Sequence, residues 1–585
     1  MFSLQKIQEW LKENNQNILL INRTDEFLSE YIAAYAERLK WATNFSGSAG
    51  RAIIESDKAY IFIDGRYTNQ AQKEVDVNFF EIKHLQDYWK HLTKYKNENI
   101  TISLDPLLHS CKEIEKTQNL YVNTKVNLNF LNKNPIDLYW IDQPAYPNSK
   151  AFVHEEKYAG ENSQNKIKKI QSILQSTFID FYLLSSLDSI AWLLNLRGND
   201  IENTPLLCCH IIIPIQGKIE LFIDKDKIKH IIKELSYLIN FNSINKIDEY
   251  LLSIDNKKTI GMDESSTSYH FKKICRNSGR ITNHLENPCL YPKAIKNNIE
   301  IKGAKEANIR DGVSVTKFLY WLKNVIILRD IDEITAANYL FNLRKKNYLF
   351  YSSSFDTISA FSHHAALPHY RVNDNSNLSF INNSIYLVDS GAQYKDGTTD
   401  ITRTIILGIP TDEQKDRFTR VLKGHIGIAT SVFSIGTKGS SLDHIARKSL
   451  QEINCDYDHG TGHGIGSFLS VHEGPQRIAK PQSQNDAILE NGMILSNEPG
   501  YYKEGEYGIR IENLIICRSQ KDSTLFFETI SWAPIDKDLI KISLLEDDEV
   551  EWINNYHNKV YDKLSPNLLD EENEWLKLVT SPLTK

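Results

Sequence analysis

The sequence lacks most of the features that mark a specialised chain. Across 585 residues, 68 lysines and arginines are outweighed by 75 aspartates and glutamates. The net charge of −7 leaves no broad basic face, so no nucleic-acid partner is expected. No apolar run reaches the roughly 18 residues of a membrane helix. The nearest, "LLCCHIIIPI" from Leu206, is short and broken by His210 and Pro214, so no membrane association is expected either. The opening "MFSLQKIQEWLKENNQ" has no signal-peptide core and reads as an amphipathic helix. The seven cysteines (111, 208, 209, 275, 289, 455, 517) are odd in number and form no CxxC pair. They predict buried free thiols in a reducing cytoplasm rather than a disulfide framework. What remains is an ordinary globular composition, 41% hydrophobic and 24% charged.

The chain is too long for a single core. Turn-rich "DQPAYPNSK" (142–150) and "NPCLYPKAIKN" (from Asn287) divide it into parts at 1–150, 151–292 and 293–585. The first two alternate strand and helix patterns. Their strand ends "IFID" (61–64) and "LFID" (221–224) hint at two related α/β domains. The third part opens with a helix whose Val315, Phe318, Leu319 and Leu322 form one buried face. A second helix follows, its early Asp332 and Glu333 and late "RKK" suiting the helix dipole. From about 355 the pattern is strand-rich, and from about 525 to 585 it closes as a helical extension.

The chemistry-bearing residues lie in that strand-rich part. "IYLVDSGAQYKDGTTDITRTIIL" (385–407) reads as a hairpin carrying Asp389 and Asp400 where buried strands normally carry valine or isoleucine. An acid placed there is costly to desolvate without a positive partner. "DHGTGHGIGSFLSVHEGP" (458–475) holds His459, His463 and His472 among alternating glycines. The spacing of His459 and His463 mimics a helical zinc site, but each glycine costs a helix about 1 kcal/mol, so a strand or loop is expected. "MILSNEPGYY" and "GIRIENLIIC" are apolar strands that each carry one glutamate, Glu498 and Glu512. Four converging acids raise one another's pKa unless cations neutralise them. Two carboxylate-bridged divalent ions balance that charge and activate a water, which predicts a dinuclear hydrolase. Oxygen ligands with one imidazole suit Mn²⁺, Co²⁺ or Zn²⁺.

"DSGAQYKDGTTDITRT", "HGTGHGIGSFLSVHEGP", "NEPGYY" and "GIRIEN" together resemble the pita-bread metallopeptidases, specifically the long cytosolic aminopeptidase P (Xaa-Pro aminopeptidase) family. "YIAAYAERLKWATNFSGSAGRAIIESDKAYIFIDGRYTNQA" resembles that family's first domain and "SLDSIAWLLNLRGNDI" its second. The resemblance implies a multidomain α/β and α+β fold: two related creatinase N-like α/β domains, then a pita-bread catalytic domain. It implies a site of two divalent metals, commonly Mn²⁺. Asp389 would hold one metal bidentately, Asp400 and Glu512 would bridge, and His463 and Glu498 would complete the set. A bridging hydroxide would attack the carbonyl before proline, with Glu498 passing its proton to the leaving nitrogen. His369, in "LPHYRV", and His472 would flank the scissile carbonyl, and His459 would form the proline-side pocket. Arg510 would stand near substrate, or else orient Glu512 as an ion pair. Arg403 reads as structural, while Arg66 and Trp192 are candidates only for shaping substrate access, and folding of their own domains explains them as well.

The implied substrates are peptides with proline in second position, and the implied assembly is a homodimer through the catalytic domain. Proline's imide lacks an N–H, so a dedicated enzyme is reasonable. One departure stands out. The family reads close to "GxNGAxxHY" before the matched His369, whereas this chain has "SHHAALPHY". His363 and His364 are expected as exposed loop residues, or as residues that alter the substrate rim. A prolidase shares the five ligands, a methionine aminopeptidase needs only the catalytic half, and pita-bread binding modules have lost the ligands.

Overall fold

The computed structural model describes residues 2–325, 330–481, 486–520 and 523–585. The chain divides into two compact units, one of residues 1–153 and 161–289, the other of 154–160 and 290–585.

The first unit contains two six-stranded sheets. One runs Phe80–His84, Ala59–Ile63, Gly50–Glu55, Ile18–Asn22, Thr101–Leu104, Asn127–Phe130. The other runs Ile239–Asn242, Ile219–Phe222, His210–Pro214, Phe181–Leu184, Thr259–Met262, Ile281–His284. Read across, both sheets pair parallel, antiparallel, antiparallel, parallel, parallel. The "IFID" and "LFID" segments end the second strand of each, so the faint likeness marks topologically equivalent positions. Trp192 is buried in the helix Leu187–Leu194 of this unit, with the Lys166 ammonium 4.6 Å from its ring centroid. It is a core residue of its own domain, in keeping with the folding role open to it from the sequence. The side chain of Arg66 lies outside the described residues.

The second unit is built on antiparallel strands. Ile358–Phe361, Ser384–Ser390 and Ile401–Leu407 form one sheet. Val432–Ser434, Thr524–Thr529, Asn513–Gln520, Ile494–Asn497, Gly462–Gly464 and Glu473–Ile478 form another. The helix Asn298–Val325 lays Val315, Phe318, Leu319 and Leu322 against Tyr386, Val388, Ile401 and Ile405 of the first sheet. The helix Asp412–Ala429 buries Phe418, Val421, Leu422 and Ile426 with Ile406, Ile509 and Ile511. These packed faces hold the site strands rigidly from behind.

The expected closing extension needs correction at its start. Thr524–Thr529 is a strand of the six-stranded sheet with Leu525 and Phe527 buried, and the closing helices begin at Asp547. Nor are they peripheral, because Tyr556 is buried and receives a hydrogen bond from Arg403. All seven cysteines are free thiols, six buried and Cys455 half-buried. Among the described residues no helix is long and apolar enough to cross a membrane.

Candidate metal centre

The hairpin forms with a modification. Ser384–Ser390 pairs with Ile401–Leu407 in a register that sets Asp389 opposite Thr402. Between them the chain leaves the sheet as a short pair, Ala392–Tyr394 with Gly397–Thr398. A Cβ at Gly391 would meet the Thr399 carbonyl oxygen at 2.0 Å, so only glycine lets the chain fold back this closely. Of the four acids, only Asp389 lies within a strand; Asp400, Glu498 and Glu512 sit in breaks at strand ends. This corrects the expectation that all four are embedded in strands. In a break the side chain escapes the strict in-and-out alternation, so acids from different sheets can face one point. His463 lies in the strand Gly462–Gly464, as the glycine density predicts. A Cβ on Gly462 would meet the Ser496 carbonyl oxygen at 2.0 Å. That close approach brings the histidine strand against the strand preceding Glu498.

Ligand atoms of Asp400, His463 and Glu512 lie within 4.8 Å of one another. His463 Nε2 is 3.5 Å from Asp400 Oδ2 and 3.4 Å from Glu498 Oε1. Its Nδ1–H donates to the Gly464 carbonyl (3.0 Å), so Nε2 presents its lone pair to those carboxylates. Oδ1 of Asp389 is buried without a hydrogen-bond partner among the described residues. Acceptors turned on acceptors in a buried site share no proton. A cation satisfies all of them, and a backbone-anchored imidazole is the usual arrangement of a metal-ligating histidine. The donor set therefore fits divalent metals.

The electrostatics agree. Burial pushes the Asp400 carboxyl well above its ordinary range, and Glu512, Asp389 and Glu498 add to the rise. Glu512 is likewise pushed well up by burial, then by Asp389 and Glu498. Burial raises Glu498 to about 7, against the pull of Arg510 and His472. The protein holds its acids in a place that favours their neutral form, which is the condition two divalent ions relieve.

Around the acids stands a layer of fixed donors. Arg510 is buried and donates to Asp389 Oδ2 at 2.6 Å, to Thr402 Oγ1 at 3.2 Å and to Tyr502 Oη at 2.7 Å. Its ion-pair partner is thus Asp389; it reaches Glu512 only through Thr402, whose hydroxyl donates to Glu512 at 2.7 Å. An arginine only donates, so Tyr502 passes its own proton to His459 Nε2 (2.8 Å). His459 Nδ1–H donates in turn to the Gly460 carbonyl. Ser496 donates to Glu498 at 3.1 Å. Arg403 donates to the Glu512 carbonyl at 2.7 Å and to Pro534, Ala533 and Asn513. It anchors the segment bearing Glu512, the structural role expected of it. Sequence reasoning missed Tyr502, Thr402 and Ser496, although "NEPGYY" and "ITRT" contain two of them.

His472 stands beside His463, the two rings edge-on at 4.4 Å between centroids. His369 lies half-buried in a turn of the segment after Ile358–Phe361. That segment packs on the strand Tyr507–Arg510, where a Cβ on Gly508 would meet the Ala365 carbonyl oxygen at 1.8 Å. Of the two histidines in "SHHAALPHY", His363 is exposed as expected. His364 is not: it is buried, with Nδ1 2.9 Å from Glu333 Oε1. Glu333, an early charge that suits the helix dipole, is fully buried and needs that donor.

The comparisons with known proteins follow the same division of the chain. Residues 302–519 match metallopeptidase family M24, and 523–583 match the C-terminal region of that peptidase family. Residues 4–128 and 142–300 each match a creatinase/prolidase N-terminal domain. The chain is 37% identical to a probable Xaa-Pro aminopeptidase P of Neosartorya fischeri, over 100% of this chain and 92% of the relative. A probable Xaa-Pro aminopeptidase P of Laccaria bicolor is also 37% identical, over 99% and 93%. Among solved structures, the X-prolyl aminopeptidase of Caenorhabditis elegans superposes with a TM-score of 0.92 at 29% identity, covering 97% of this chain and 95% of that one. It is described as a cytosolic enzyme with a di-nuclear active site. An Xaa-Pro dipeptidase of Bacillus anthracis (TM-score 0.53, 26% identity) covers 64% of this chain and 99% of its own. The chain belongs to the three-domain Xaa-Pro aminopeptidase P family of M24 metallopeptidases.

Proposed function

We propose that the protein is a dinuclear metallo-aminopeptidase that releases the first residue from peptides with proline in second position. The observation that carries this reading is the full-length likeness to Xaa-Pro aminopeptidase P, domain for domain, where the dipeptidase stops at 64% of the chain. Asp389, Asp400, His463, Glu498 and Glu512 hold two divalent ions. Bound there, such ions supply an acidified water as nucleophile and a positive field for the carbonyl oxygen.

The chain's own residues do the rest. Glu498 takes the proton from the attacking water and delivers it to the proline nitrogen. His369 and His472 flank the scissile carbonyl and donate to its oxygen. His459, hydrogen-bonded to Tyr502, lines the proline side. Arg510 orients Asp389 from behind and closes the floor beneath the substrate. Manganese as the ion, a homodimer through the catalytic domain and action in the cytoplasm belong to the same reading, supported by the family resemblance and by the cytosolic relative.

The test is a digest of an Xaa-Pro dipeptide and a longer Xaa-Pro-Xaa peptide, with and without Mn²⁺. Metal-dependent release of the first residue from the longer peptide is expected. Cleavage of the dipeptide alone would make the protein a prolidase, and no cleavage of either would make it a binding module.

A further inference from the structure

We propose that Glu333 and His364 form a positioning pair for His369, and that His364 takes over a role which the family pattern gives to an amide residue. The proposal rests on the assignment of His369 to the scissile carbonyl. Its ground is the density of contacts on one buried carboxylate. Glu333 opens the helix Glu333–Lys345, whose N-cap Asp332 accepts from Thr335 N, so the carboxylate of Glu333 is not spent on capping. It receives Phe361 N at 2.7 Å and Leu378 N at 3.1 Å, from the two ends of the segment that contains His369. Tyr370 Oη donates at 2.9 Å, and His364 Nδ1 lies 2.9 and 3.1 Å from the two oxygens.

His369 sits between two of these anchors in the chain. Leu367 N donates to the His364 carbonyl and Tyr370 N to the Leu367 carbonyl, at 3.0 and 3.1 Å. Two successive turns therefore link His364 to Tyr370, with His369 inside the second. The rings of His364 and Tyr370 stack at 4.2 Å and 25°, which closes the loop on itself. Loss of the His364 donor leaves Glu333 a fully buried carboxylate short of one partner, and the loop must shift to rehydrate it. The shift moves His369 relative to the carbonyl it serves. Asparagine, the residue the family pattern places at this position, carries an N–H donor of similar reach.

The experiment compares wild type, His364→Leu and His364→Asn in kcat and KM on an Xaa-Pro-Xaa peptide, together with bound metal and melting temperature. His364→Leu is expected to lose about 10²-fold in kcat, the cost of an ångström-scale misplacement, with KM and metal content unchanged. His364→Asn is expected to recover most of that loss. Wild-type kcat in His364→Leu, or no rescue by asparagine, overturns the pair. Should His364→Leu fail to fold, Tyr370→Phe removes the one hydroxyl that Glu333 shares with Ser376; it is expected to lower kcat at unchanged KM, and an unchanged kcat overturns the proposal. A wild-type protein inert on the peptide refutes the functional assignment itself, an outcome distinct from active wild type with unaffected variants.

Discussion

Buried charge is met in two ways in this chain: by balanced pairs, which occur in both units, and by an excess of one sign, which occurs at the candidate metal centre. In the first unit three cations show the balanced form. Lys227 and Asp200 are wholly buried 2.5 Å apart, Arg38 joins Asp137 and Glu26, and Lys272 joins Glu115 and Glu264. In the second unit Asp389, Asp400, Glu498 and Glu512 converge with Arg510 as the cation among them. A balanced buried pair is a structural feature that apolar residues can replace, whereas an imbalance persists only where something mobile completes it. Excess charge, and not burial of charge, marks the working end of this molecule.

Four substitutions or conditions sharpen the contrast. Asp400→Ala is expected to abolish metal-dependent turnover while circular dichroism and melting show a folded protein. His369→Ala should lower kcat by about 10²–10⁴, the range of a lost proton-transfer group, with metal content by elemental analysis unchanged. Asp200→Asn should instead cost about 3–5 kcal/mol in denaturant unfolding without altering metal content, because it strands Lys227. Replacing both members, Asp200→Leu with Lys227→Met, should restore only part of that loss, because Cys208 N and Ser149 N and Oγ lose the carboxylate that accepts from them.

The smallest effect is one of pH. Asp400, Glu498 and Glu512 all have folded-state pKa values above their ordinary ones, so the metal-free fold binds more protons than the unfolded chain. Their contribution is fully present below about pH 4 and is lost as pH rises through the folded values, that of Glu498 being about 7. Across that window the melting temperature of metal-free protein falls relative to metal-loaded protein. A gap that does not widen with pH contradicts the direction of these shifts.

Much of this was legible in the chain itself. Asp389 and Asp400 stand out because an acid interrupts an apolar pattern, and His459, His463 and His472 because glycines forbid the helix their spacing suggests. The face of Val315, Phe318, Leu319 and Leu322 is a local periodicity and survives folding unchanged. The burial of His364 and its partnership with Glu333 were missed because the pair spans 31 residues, and no local pattern separates a buried glutamate from an exposed one at a helix start. The Lys227–Asp200 pair is hidden for the same reason, and Tyr502 reads as one aromatic among many until Arg510 and His459 meet on its hydroxyl. Residues whose role depends on who stands opposite them become readable only once the sheets are in register.

The most direct measurement is the number of divalent ions bound per chain, by titration calorimetry with Mn²⁺ on chelator-treated wild type and Asp400→Ala, with peptide turnover followed in the same samples. Two ions per wild-type chain, fewer in the variant, and turnover that returns with the ions are expected. Full turnover in chelator-treated protein that binds no metal would contradict it.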